Sequence, residues 1–216
     1  MLARALERCG RRVELCTDSL CFPVLEACSR AAGGPKVRAA VSGEEILVDS
    51  PSLVVFLERL GRASDGRYYN MRGEDVSAST PPLDGAAIES LKGGIPVLAV
   101  GDGGNEVGMG NFREELAEAL PGYTRCLSVT KASVALAVDV SDWGGYALAA
   151  LLSLGEGNWV GAEESEIAQM LAAQIDAGAV DGVTRKKQPT VDGFGLDVHR
   201  DVVRSLKEAV SFPTRA

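Results

Sequence analysis

The chain has 216 residues, 46% of them hydrophobic, which is enough to fill a core, and 30 acidic against 22 basic side chains give a net charge of -8. That balance repels a phosphate backbone and an anionic membrane alike, so neither nucleic acid nor a membrane is an expected partner. Five cysteines, Cys9, Cys16, Cys21, Cys28 and Cys126, form no C-x-x-C pair and share the chain with one histidine, which excludes a zinc set and implies small buried free thiols in a reducing compartment.

In chain order, Leu2 to Cys9 is a short helix closed by Gly10, and "RVELCTD" is a strand ending at Asp18. Charges run throughout "MLARALERCGRRVELC", which is neither a signal peptide nor a membrane span and points to a cytoplasmic protein. "CFPVLEACSRAAGG" has helical spacing and "KVRAAV" follows as a strand; "SLVVFLER" is a continuous apolar run of the kind a covered parallel strand needs. The polar loop "GRASDGRYYNMRGEDVSASTPPLDG" is too long to be idle in a compact domain. A helix from Gly85 to Lys92, the strand "IPVLAV", a glycine turn and the helix "FREELAEALPG" come next. The strand "SVALAVDVS", the helices "DWGGYALAALLSL" and "EESEIAQMLAAQIDAG", a short strand or turn at "AVDGVT" and the closing helix "DVHRDVVRSLKEAV" complete the chain. Strands alternating with helices predict a doubly wound, Rossmann-like α/β fold, a single domain over 1–216 with a mostly parallel sheet covered on both faces.

In such a fold ligands bind beyond the carboxyl ends of the strands, and here each strand end carries an acid beside glycine or serine. Asp18, Asp65, Asp102, Glu106, Asp139 or Asp142, and Asp181 are therefore expected to converge on one rim, although Asp also serves turns and helix caps. "VLAVGDGGNEVGMGN" fits neither nucleotide motif: Met109 and Gly110 stand where a P-loop needs Lys and a hydroxyl, and Glu106 stands where the dinucleotide fingerprint needs its third glycine. Its geometry still suits a small anionic substrate against backbone N–H groups at Gly103, Gly104 and Asn105. Asp102 and Glu106 beside it make sense with Mn²⁺ or Mg²⁺, or as general acid and base. In "SDWGGYAL", Asp142 is the expected helix N-cap, Trp143 a wall, and Gly144 a point of close ligand approach. Arg67 and Arg72 are candidate anion clamps, and His199 is expected at the surface.

The motifs "GRASDGRYYNMRG", "PLDG", "GDGGNEVGMGN", "SDWGGYAL", and "GAVDGVT" followed by "TVDG", run in one order from Arg59 to Gly193. In this they resemble the D-glutamate cyclase-like domain family. The resemblance implies a carbon–oxygen lyase that dehydrates D-glutamate to 5-oxo-D-proline. It leaves open a metal-dependent phosphatase on a small phosphoester, or a non-catalytic domain that binds a small anion. Family members carry a strand and an acidic glycine loop ahead of the first helix, which this sequence is expected to lack, and Leu60 replaces a proline of the family's turn. On the cyclase reading, a divalent ion on Asp102 and Glu106, with Asp65 and Asp181 as further candidate ligands, polarises the γ-carboxylate. Arg67 or Arg72 holds the α-carboxylate, and Asp139 or Asp142 takes the amine proton. Assembly as a homo-oligomer is compatible with this reading.

Overall fold

The computed structural model describes residues 1–210. It is an α/β structure of parallel sheets flanked by helices, in two compact units: Met1–Ala39 with the residues from Gly145 on, and Ala40–Gly144.

The first unit opens with α1 (Leu2–Arg8), β1 (Leu15–Thr17), α2 (Phe22–Ala31) and β2 (Val37–Ala39). β1 and β2 pair in parallel, with Leu15 opposite Val37. Proline at the start of α2 costs no hydrogen bond there, because the first N–H groups of a helix have no partner within it.

The second unit holds α3 (Gly43–Leu47), β3 (Val54–Leu57), α4 (Gly85–Lys92), β4 (Val97–Gly101), α5 (Arg113–Ala119) and β5 (Val134–Ala137). Its sheet has the order β3-β4-β5, all parallel, with β4 in the centre. Val97, Ala99 and Val100 are fully buried, as the continuous apolar run requires. Val54, Phe56, Ala86, Ala87 and Val107 complete the same core, so α4 and the far side of the glycine turn both pack against the sheet. β5 lies at the edge, and its Val134 is exposed where a covered strand was expected.

α6 (Ser141–Glu156) has its first turn in the second unit and its remainder in the first. The first unit continues with α7 (Glu164–Asp176), a hairpin of β6 (Thr190–Val191) and β7 (Phe194–Gly195), and α8 (Leu196–Ala209). Glu163 N–H donates to Glu166 Oε2 at 2.9 Å and fixes the start of α7. His199 is fully buried, contrary to the surface position expected of it. It shares one face of α8 with buried Val203, and its ring meets Tyr146 edge-on, with centroids 6.5 Å apart.

Among the described cysteines only Cys126 is buried, Cys21 is exposed, and all five are free thiols. No described helix is long and apolar enough to cross a membrane. The strand ends fall in two sheets: Asp18 follows β1 and Asp181 lies beyond α7, both in the first unit, while Asp65, Asp102, Glu106, Asp139 and Asp142 belong to the second.

Candidate active site

β4 ends at Gly101, and the turn after it folds a carboxylate back onto the strand end. Glu106 is 4% exposed; its Oε1 accepts the Gly103 N–H at 2.9 Å, while its buried Oε2 has no partner among the described residues. A Cβ on Gly101 would stand 2.8 Å from that Oε2, so only glycine lets the carboxyl lie there. Gly108 closes the turn with φ 92°, and a Cβ on it would meet Ala99 at 2.5 Å. Burial pushes the Glu106 carboxyl above its ordinary value, against the Gly103 N–H bond that favours its charge, and nearby Asp102 pushes upward as well.

Asp102 is exposed, and its Oδ2 accepts the Ser141 N–H at 2.8 Å. The first turn of α6 is thus capped by a carboxylate from the end of β4, while Asp142, the expected cap, lies exposed inside that turn. Ser141 is 3% exposed, and its Oγ has no partner among the described residues. Glu106 Oε2 and Ser141 Oγ are thus two buried polar atoms without partners among the described residues, where nearly all such atoms in folded proteins are satisfied. Asp139 stands exposed just ahead of the turn, and Trp143 is half-buried behind it.

The other expected binding residues are spent on structure. Gly103 gives its N–H to Glu106, and Gly104 is buried, with its carbonyl accepting the Ser128 N–H. Asn105 Nδ2 donates to the Tyr69 carbonyl at 2.7 Å. The turn thus aims these donors inward. A Cβ on Gly144 would lie 2.5 Å from Val100, so its missing side chain lets the first turn of α6 meet β4. Arg67 donates to Asp75 at 3.1 Å, and Arg72 sits exposed on the loop, its N–H on Asn70.

The four expected metal ligands are not gathered. Asp65 accepts the Tyr69 hydroxyl at 2.6 Å and the Arg67 N–H. Asp181 organises its own loop, accepting the N–H groups of Val183, Thr184 and Gly193 and the Thr190 hydroxyl. Burial opposes its charge, but those bonds prevail and hold its carboxyl at about 2. Among the described residues no three His, Cys, Asp or Glu side chains group as a metal set. Asp102 and Glu106 are the two candidate ligands that share the turn after β4, and they would supply two of the roughly six oxygens that a Mn²⁺ or Mg²⁺ ion takes.

A family model described as "D-glutamate cyclase-like, C-terminal" matches residues 1–207. The chain belongs to this family. It is also similar to the human protein "D-glutamate cyclase, mitochondrial", with 40% identity over 100 residues; that stretch is 46% of this chain and 16% of the human protein's length.

In this D-glutamate cyclase-like chain the fully buried Asp84 of "PLDG" is a residue that sequence reasoning left without a role. Its carboxylate accepts from Arg62 Nε (2.8 Å) and Nη2 (3.0 Å), the Arg62 N–H (3.1 Å), the Tyr68 hydroxyl (2.6 Å) and the Thr130 hydroxyl (2.9 Å). Burial alone would raise its pKa, but Arg62 and Tyr68 outweigh it and hold the carboxyl below its ordinary value. Asp84 thereby ties the long loop to the segment before β5.

Proposed function

We propose that the chain catalyses the family's characteristic reaction, the cyclising dehydration of D-glutamate to 5-oxo-D-proline. The observation that carries the reading is Glu106: a buried carboxyl biased toward its neutral form, one oxygen fixed and the other without a partner, beside a solvent-exposed carboxylate. A neutral acid is what the γ-carboxylate of the substrate needs, since a carboxylate resists nucleophilic attack until its charge is offset. Asp102 takes a proton from the substrate ammonium, the amine attacks the γ-carbon, and Glu106 protonates the γ-oxygen. The C–N bond forms and one C–O bond breaks. The two protons that nitrogen loses leave with that oxygen as water, relayed through Asp102 and Glu106. Ser141 Oγ accepts from the amine and holds it in line.

The phosphatase reading, in which the glycine turn cradles the phosphate, has less support, because Gly103 already gives its N–H to Glu106 and the Asn105 side chain donates to Tyr69. The test is incubation of the purified protein with D-glutamate and chiral chromatography of the products. Formation of 5-oxo-D-proline is expected; folded protein that yields none refutes the proposal.

A further inference from the structure

A substrate with two carboxylates entering an acidic site needs a fixed cation. Arg67 is engaged with Asp75, and Arg62 with Asp84. Arg125 is held differently. Its Nη2 donates to the Tyr69 hydroxyl at 2.8 Å, its guanidinium lies over the Tyr69 ring at 5.0 Å, and its Nε is 3.9 Å from Asp65. The platform is rigid: Tyr69 is 1% exposed and gives its hydroxyl proton to Asp65 at 2.6 Å. Arg125 itself is exposed, and its guanidinium is positioned by the Tyr69 hydroxyl and ring.

This platform is bonded to the catalytic turn. The Tyr69 carbonyl accepts from Asn105, the residue before Glu106, and the Tyr123 hydroxyl, two residues before Arg125, donates to the Asn70 carbonyl at 2.7 Å. We propose that Arg125, clamped on Tyr69 and Asp65, is the anchor for the α-carboxylate of the substrate. The assignment rests on the cyclisation reading and replaces Arg67 and Arg72 in that role. It makes the site selective for amino acids with a free α-carboxylate.

The test compares wild type, Arg125→Gln, Arg125→Lys and Tyr69→Phe with D-glutamate and with its 1-amide. An interaction made equally in ground and transition states moves KM and spares kcat. Loss of a charge-assisted pair predicts a KM for D-glutamate raised about 10–100-fold in Arg125→Gln, with kcat within about threefold. Arg125→Lys recovers part of the loss, and Tyr69→Phe, which keeps the ring but frees the guanidinium, gives a smaller rise. Wild type prefers D-glutamate over the 1-amide, and Arg125→Gln abolishes that preference. An unchanged KM in Arg125→Gln beside an active wild type overturns the anchor and leaves cyclisation standing. If wild type turns over no D-glutamate, the cyclisation reading is what fails. Calorimetric titration with glutarate then decides on the anchor: weaker binding by Arg125→Gln supports it, and equal affinity, or no binding by wild type, overturns it.

Discussion

Replacing Asp84 with alanine removes the most heavily bonded buried charge found in the second unit. The buried hydroxyls of Tyr68 and Thr130 lose their partner, at about 1–3 kcal/mol each, while the Arg62 side chain, about one-third exposed, turns to water at little cost. The sum agrees with the roughly 3–5 kcal/mol lost when one partner of a buried ion pair is deleted. Urea unfolding followed by circular dichroism should show a lower midpoint with an unchanged slope, and Tm should fall by roughly 6–20 °C. Asp84→Asn, which keeps the shape without the charge, should lie between alanine and wild type. The pH dependence has a fixed sign: the folded-state pKa is depressed, so this contribution is full above the unfolded value of about 3.9 and is lost as pH falls through the folded value. A midpoint for Asp84→Ala equal to wild type at neutral pH would refute the argument that this carboxylate holds the loop.

Glu106 has the opposite sign. Its pKa is raised, so its stabilising contribution is full below about pH 4.3 and is lost as pH rises through the folded value. Glu106→Gln should therefore be more stable than wild type at neutral pH, with the gap closing in acid, as urea midpoints across pH will show. Gly101→Ala places a methyl 2.8 Å from Glu106 Oε2 and 3.1 Å from Met109, which should destabilise by about 1–3 kcal/mol and lower activity more than stability. Asp181→Ala frees the loop that carries Arg185, Lys186 and Lys187, and trypsin should cut there about tenfold faster or more. Unchanged cleavage would mean the loop is held by other contacts.

The helices and strands were legible because long apolar runs and glycine stops are local signals; "IPVLAV" and "SLVVFLER" became β4 and β3 for that reason. The five-residue α3 carried too short a pattern to stand out. The glycine turn that holds Asp102 and Glu106 at the end of the central strand was also legible, since the glycines around them fail both nucleotide motifs. Their division of labour was not. Asp102 caps a helix 39 residues further on, and Asp84 meets Arg62 and Thr130 across 22 and 46 residues. A single sequence does not display such pairings. The acidic rim was over-counted because aspartates that organise their own turns, Asp181 above all, have the same local sequence as ligands. His199 was misjudged from its charged neighbours, when the face it shares with Val203 decides its burial.

The acid role of Glu106 is tested by the pH dependence of kcat for D-glutamate in wild type and Glu106→Gln. If neutral Glu106 delivers the proton, wild-type kcat falls as pH rises through its elevated pKa, and Glu106→Gln loses about 10²- to 10⁴-fold in kcat, and that limb of the profile with it, while remaining folded. A Glu106→Gln protein with wild-type kcat and the same profile would contradict the central claim.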